Sequence, residues 1–559
     1  MKSTIAAATT ELDEVARRFE AAARSVFAAS EPRVVFESPR RHGFGDFATN
    51  VAFTISKAAR RPPQEVASAI VAAAREDAWL ATIVVDAMPV AGFINIRLSP
   101  AYWQSRIADV LRAGNSYGRS PTNGRRISLE FGSANPTGPL VVVQGRTCSI
   151  GATLAEALRY AGYDVFTEWI INDAGSQIAT LGRSVYARYR ELREPAFPFP
   201  DDGYPGDYVR EIAHALHERD GDRWQHVPEA DAAPVLGRFA RDVIVEGQKV
   251  TAARFGVHYD LWQSERELHE AGAIDAGIAR LRELGLTYER DGALWVRTSA
   301  TGDSEDRVAV RSDGRPTYYS NDIAYHYDKL RRADCIIDIL GPDHHGYIAR
   351  LQALAAAYDR PGDIEVLISQ QITLRRGEEI ISMSKRAGEI VTLDEIMDEV
   401  GVDAARFFFT MLSIDQPLTF DLQLAKSQSN ENPVYYVQYS HARIASVLQR
   451  AATQLGEEIA ERAAVASLEP LVHPAELALA RRLAEFPVVI AGVAEARAPH
   501  RLARYARDVA ADFHQFYDAC RIITPDEPLS LARIALAIAA KTVLASVLRI
   551  IGVSAPDSM

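Results

Sequence analysis

Short apolar runs alternate with amphipathic stretches between residues 120 and 390, and beyond about 395 the alternation gives way to helical periodicity. In the alternating part, RRISLEFGSA has the profile of a strand ending in a turn. CSIGATLAEALRYAG repeats apolar residues at helical spacing and closes at Gly162, and YDVFTEWII reads as a second strand. Further on, CIIDILG predicts a strand running into GPDHHGY, and YIARLQALAAAY predicts a helix. Strands alternating with helices predict a doubly wound α/β domain around a parallel sheet. After that, LDEIMDEVGVDAARFFFTML, NPVYYVQYSHARIASVLQRAATQL and ARIALAIAAKTVLASVLRIIG place apolar residues three and four apart, the pattern of a helical bundle. Residues 1 to about 110 begin helical and end in the strand-like VAGFINIRL before Pro100. The predicted organisation is an α+β segment 1–110, a parallel-sheet α/β segment 111–395 and an all-helical segment 396–559.

Composition adds little to that outline. The chain has 559 residues, 48% hydrophobic and 24% charged, enough for several buried cores. Its first residues, MKSTIAAATTELDEVARRFE, turn acidic and helical too early for a signal peptide. No apolar run is expected to approach a membrane span, so a cytoplasmic, monomeric protein without a membrane partner is expected. Cys148, Cys335 and Cys520 lie far apart without a zinc or redox spacing, and read as buried small hydrophobes. The net charge of −12 opposes non-specific polyanion binding over the whole surface. Locally, however, Arg33, Arg40, Arg41, His42, Lys57, Arg60 and Arg61 stand against only Glu31, Glu37 and Asp46, which predicts a basic face in the first segment.

The candidate chemistry centres on Ser133–Arg146, SANPTGPLVVVQGR. Its first half is a Pro- and Gly-punctuated turn between a strand and a helix, a place where backbone N–H groups meet phosphate. Its second half offers Val141, Val142 and Val143 before the first polar side chain, Gln144. Elsewhere, Tyr318 and Asp322 are four apart and share a face if helical. His344 and His345 lack a third ligand at suitable spacing, so no metal is expected.

Read in order, FGDFATN, GFINIRLSP, LEFGSANPTGPL, INDAGSQI, DDGYPGDYV, PTYYSNDIAYHYDKL, GPDHHGYIARL, SMSKRAGEIVTL, DAARFFF, NENPVYYVQYSHARI and ADFHQFYDACRI resemble, end to end, an arginyl-tRNA synthetase of the bacterial type. The resemblance implies a class I synthetase: a Rossmann-like catalytic domain, an N-terminal domain on the tRNA elbow and a helical anticodon-binding domain. It implies ATP with Mg2+, L-arginine and tRNA(Arg) as ligands. In that family NPTGPL is followed by His-Val-Gly-His. Val141 stands at the first histidine, Val143 at the glycine and Gln144 at the second histidine, and only Val142 agrees. The second signature, usually Lys-Met-Ser-Lys, reads Ser382, Met383, Ser384, Lys385.

By position, the resemblance assigns catalysis to Gln144 and Lys385. Arginine falls to Glu130, Asn135, Tyr318 and Asp322. ATP falls to Asn135, the Gly138–Pro139 step of the turn, Asp343, His344, Met383, Ser384 and Lys385. Asn172, Asp173 and Gln177 match a segment near the adenylate. Arg40, Arg41, Arg60, Arg61, Tyr435, Tyr439 and Arg443 are assigned to tRNA, with Gln438 and His441 as polar edges for unstacked bases. Valine can neither donate a hydrogen bond nor carry charge, so slow adenylate formation is expected. A working ligase, a non-ligating paralogue that binds tRNA or arginine, and a repurposed arginine-transferring enzyme all remain compatible with the residues.

Overall fold

The computed structural model describes residues 11–28, 31–37, 45–381 and 391–559. Two compact units result: Met1–Ser120 with Arg443–Phe486 and Ala511–Val543, and Pro121–Ala442 with Pro487–Ala510 and Leu544–Met559.

The second unit is built on a five-stranded sheet of β1 (Arg126–Glu130), β2 (Asp164–Ile171), β3 (Leu261–Ser264), β4 (Cys335–Leu340) and β5 (Ile364–Ile368). Every neighbouring pair is parallel, in the order β3-β2-β1-β4-β5. This is a doubly wound order, and the chain reverses direction of growth between β1 and β4, where such sheets bind ligands outside the strands' carboxyl ends. The strands are buried on both faces: Ile127, Leu129, Ile336 and Ile337 are at most 1% exposed.

Helix α1 (Val142–Tyr160) follows the turn after β1 and is buried along most of its length. Gly145 in its first turn is required by packing, because a Cβ there would lie 2.6 Å from Leu393 Cδ1 and 3.0 Å from Phe409 Cε2. The next residue, Arg146, is fully buried and donates to the carbonyls of Gln370 (3.0 Å), Gln371 (3.4 Å), Ser413 (3.0 Å) and Gln416 (2.6 Å). Burial lowers its pKa to about 10. Arg406, equally buried, donates to Ile551 O at 2.9 and 2.8 Å and so satisfies carbonyls at the end of the helix Glu527–Ile551.

The first unit pairs the strands Phe47–Thr49, Phe93–Leu98 and Val84–Val90 antiparallel, in that order. Ser99 then caps the helix Pro100–Ala113 by accepting from Tyr102 N, with Pro100 at the first helical position.

Two expectations need correction. The stretch beyond 395 is not purely helical, since Leu418–Asp421 (LTFD) is a strand paired in parallel with Ile372–Arg376; its alternation of apolar and polar residues is too short to stand out beside helices. Nor is the chain free of apolar runs long enough to span a membrane. The helix Glu527–Ile551 has 25 residues and reaches a mean hydropathy of 2.0, and 72% of that window is buried within the protein. A helix apolar on all sides is what a core position demands.

Candidate active site

A cavity of about 830 Å³ opens at the carboxyl ends of β1 and β4. Its floor grows out of strand register. Glu130 on β1 is level with Glu168 on β2 and with Asp338 on β4, so three carboxylates lie side by side across the sheet. All three are at most 5% exposed, an arrangement that demands countercharge. It comes from the helix α2 (Tyr318–Arg332). Lys329 Nζ donates to Glu130 Oε2 and Asp338 Oδ1, both at 2.7 Å, and Arg332 grips Glu168 through two bonds of 3.0 and 2.6 Å. His326 Nε2 stands 2.9 Å from Asp338 Oδ2, and its Nδ1 stands 2.9 Å from the carbonyl of Asp322. Both partners can only accept, so both ring nitrogens donate and His326 is an imidazolium. Burial opposes that charge, but Asp338 outweighs it and raises the His326 pKa. Lys329 and His326 in turn outweigh burial at Asp338 and hold its carboxyl below the ordinary range. Glu130, Asp338, Lys329 and His326 thus close as a neutral quartet.

Asp322 also lines the cavity, and burial raises its pKa. Its Oδ2 lies 2.9 Å from Arg350, whose guanidinium stacks 3.7 Å over the Tyr347 ring. The pair lacks hydrogen-bond alignment: Asp322 Oδ2, Arg350 Nη2 and, nearby, His344 Nδ1 are buried atoms without a hydrogen-bond partner. Orphaned polar atoms around a cavity fit a polar ligand. The sequence reading missed Glu265 and His269, four apart just past β3, which also line it. Glu265 accepts from Asn321 Nδ2 and makes no ion pair among the described residues, and burial raises its pKa, with Asp173 and Asp322 adding to the shift. Their signal was a carboxylate following Ser264 at the end of a parallel strand, where Ser264 caps the next helix.

The opposite wall is the turn and the start of α1. Gln248, 1% exposed, donates to the carbonyls of Asn135 (3.1 Å) and Gly138 (2.9 Å), and Tyr208 donates to Thr137 O at 2.6 Å. Asn172 Nδ2 reaches Asn135 Oδ1 at 3.4 Å. Val141 is the N-cap of α1; it makes no side-chain cap bond, its backbone bridges Thr392, and it does not line the cavity. Val142 is buried. Val143 and Gln144 do line the cavity, and Gln144 Oε1 accepts from Val141 N–H at 3.3 Å.

Other expected residues are dispersed. Tyr318 and His344 line the cavity, with Tyr318 74% exposed, whereas Asp343 is exposed and outside the lining. Asn172 and Gln177 line it, while Asp173 is buried and bonded to Ser264 Oγ at 2.8 Å and to Arg241. Met383, Ser384 and Lys385 lie outside the described residues, as do Arg40 and Arg41. Arg60 and Arg61 are exposed after the helix Val51–Ala59. The rings of Tyr435 and Tyr439 stack at 6.0 Å with 6° between planes. Arg443 meets His514 at 3.2 Å and the Tyr517 ring at 5.3 Å. Gln438 and His441 are not the open polar edges expected. Both are buried, Gln438 donating to Asp403 Oδ2 (2.8 Å) and His441 lying 2.8 Å from Pro556 O. Among the described residues no group of three or more His, Cys, Asp or Glu is arranged to hold a metal ion.

Comparison with known proteins identifies this architecture. Residues 13–98 match the arginyl tRNA synthetase N terminal domain, 240–410 the catalytic domain of tRNA synthetases class I (R), and 437–559 the DALR anticodon binding domain. The chain is 44% identical over 531 residues to an arginine–tRNA ligase of Syntrophotalea carbinolica, covering 94% of this chain and 95% of the relative. It is 43% identical over 566 residues to that of Heliobacterium modesticaldum, covering 100% and 99%. Among solved structures, the fold matches Thermus thermophilus arginyl-tRNA synthetase with a TM-score of 0.77 at 23% identity, over 98% of this chain and 99% of that one. With a parallel-sheet catalytic domain, an N-terminal domain and a helical anticodon-binding domain, the chain belongs to the arginine–tRNA ligase family of class I aminoacyl-tRNA synthetases.

Proposed function

We propose that this protein attaches arginine to tRNA(Arg) through an arginyl-adenylate, with ATP and Mg2+ as the family uses them, and that adenylate formation is slow. The observation that carries the reading is that Val143 and Gln144 line the same cavity as Asp322 and Glu265. The arginine end keeps its carboxylates, and the nucleotide end has lost its imidazoles. Because the floor quartet and the Asp322–Arg350 pair each close near neutrality, Glu265 is the carboxylate left for a guanidinium, with Asp322 beside it and Tyr318 as an aromatic wall. Glu130 and Asn135 orient the rest of the amino acid.

ATP lies along the turn at Asn135, Gly138 and Pro139 and reaches His344. Asp343, Met383, Ser384 and Lys385 complete the nucleotide contacts by family position. Gln144 retains an NH2 group as donor. Removing one transition-state donor costs on the order of 10² to 10³ in rate, and the methyl groups of Val143 occupy space that a glycine leaves open. For tRNA, Arg40, Arg41, Arg60 and Arg61 serve the first domain, and Tyr435, Tyr439 and Arg443 the helical one. The chain divides functionally at about 110 and 395. Arginine- and tRNA-dependent exchange of pyrophosphate into ATP tests the reading. A slow but measurable rate is expected. Binding of arginine and tRNA with no exchange would favour the non-ligating paralogue.

A further inference from the structure

The turn Arg311–Arg315 at the mouth of the cavity sets two like charges side by side. Arg311 N–H donates to Arg315 O at 2.9 Å, Gly314 N–H donates to Arg311 O at 2.9 Å, and Val310 and Pro316 form the flanking bridge. Gly314 closes the turn at φ +80°, a conformation that suits glycine. Residues facing each other across such a ladder project to the same side, and like charges there destabilise the pairing. A single acid, Asp313, sits in the turn with the two arginines. Asp313 Oδ2 accepts from Arg315 Nε at 2.7 Å, whereas Arg311 makes no ion pair among the described residues. Both arginines line the cavity, and both are exposed. Two exposed guanidinium groups sharing one carboxylate leave the turn with net positive charge.

The charge of the remaining lining sharpens the point. Glu130, Asp338, Asp322 and Glu265 make the floor and the arginine end acidic, while Val143 and Gln144 contribute no positive charge at the start of α1. Among the described lining residues, an anionic ligand entering this cavity finds guanidinium groups at the Arg311–Arg315 turn. We infer that Arg311 and Arg315 grip the β- and γ-phosphates of ATP, supplying the positive charge that the altered signature lacks. The inference rests on the reading of the cavity as an ATP site. Guanidinium groups bind phosphate oxygens bidentately, and a turn holding two of them suits a polyphosphate better than a single phosphate. Such a grip preserves ATP affinity. It does not restore the donors that act on the reacting α-phosphate.

The test is calorimetric titration of the full chain with ATP–Mg2+ and, separately, with AMP, together with tRNA binding. The combined change Arg311→Gln and Arg315→Gln, at exposed positions that leave the core untouched, is expected to weaken ATP binding by about tenfold or more, the scale of one charge-assisted bond, and AMP binding by less than about threefold. Asp313→Asn should act in the opposite direction. It removes the competing charge yet keeps the side-chain acceptor that takes Arg315 N–H at 3.1 Å, so ATP should bind about twofold or more tightly. Unchanged ATP affinity in the Gln variant overturns the inference, as does a parallel loss for ATP and AMP. Loss of tRNA affinity with ATP binding intact also overturns it, assigning the turn to a nucleic-acid backbone. In those cases the ATP site itself stands. A wild type that binds neither ATP nor AMP removes the underlying reading and the inference with it.

Discussion

The two walls of the cavity are built on different principles. On the side proposed for arginine, side chains that line the cavity also hold the fold together. Glu130 and Asp338 share Lys329, Asp322 faces Arg350, and Glu265 is held by Asn321. On the nucleotide side the two tasks are separate. Gly145, Arg146, Gln248 and Tyr208 fix the turn and the first turn of α1 from behind, and of the cavity-lining Val143 and Gln144 only Gln144 adds to that framework, through the 3.3 Å bond it accepts from Val141 N–H. A wall of the first kind cannot change its chemistry without exposing buried charge, at a cost of several kcal/mol. A wall of the second kind can exchange histidine for valine and keep its shape. That difference makes the first turn of α1 a place where residue identity can change with little effect on the fold around it.

The largest expected effect tests the framework. Arg146→Met leaves four backbone carbonyls without their donor, and should lower the free energy of unfolding by about 3–5 kcal/mol, read from the midpoint of denaturant unfolding. A loss below about 1 kcal/mol would mean that the nucleotide wall is not anchored from behind. Next comes the chemistry: Val141→His, Val143→Gly and Gln144→His together should raise arginine- and tRNA-dependent pyrophosphate exchange by at least about a hundredfold. An unmoved rate would show that these side chains do not limit it.

On the other wall, Glu265→Gln should weaken L-arginine binding by about ten- to a hundredfold, as expected for one charge-assisted contact, and weaken the neutral analogue L-citrulline much less. Equal losses for both would shift the guanidinium to another carboxylate. The same group predicts a pH dependence. The ionised carboxylate binds the cation and its pKa is raised by burial, so arginine affinity should fall on acidification, beginning above the unperturbed glutamate value of about 4.3. The fall approaches tenfold per pH unit below the raised pKa and is smaller in Glu265→Gln, where Asp322, its pKa also raised by burial, still titrates. The smallest effect belongs to Val143→Gly alone. It removes bulk without adding a donor, so it should lower the KM for ATP by a factor of about three to ten with kcat little changed. A change confined to kcat would contradict a steric role.

Local signals made much of the frame legible. RRISLEFGSA, YDVFTEWII and CIIDILG became β1, β2 and β4, and the helical spans at Val142–Tyr160 and Tyr347–Ala357 follow their periodicity. Ser99–Pro100 and Gly162 marked boundaries through backbone preferences that belong to single residues. The strand Leu418–Asp421 escaped because a four-residue alternation carries almost no periodic signal. The buried state of Gln438 and His441 escaped because their acceptors, on Asp403 and Pro556, lie far away in sequence.

The sequence by itself determined the family, the turn and the residues Val141, Val143 and Gln144 that follow it, because each is a matter of residue identity at a fixed spacing. Only the tertiary structure decided which of those residues line the cavity. Register between strands separated by up to two hundred residues put Glu130 beside Asp338 and made Lys329 their shared partner. The N-cap geometry of α1 turned Val141 away from the cavity and left Val143 and Gln144 lining it. Among the described residues Glu265 was singled out as the carboxylate without an ion pair by the pairing of the acids around it, and charge balance in a buried site depends on through-space neighbours that no spacing along the chain records.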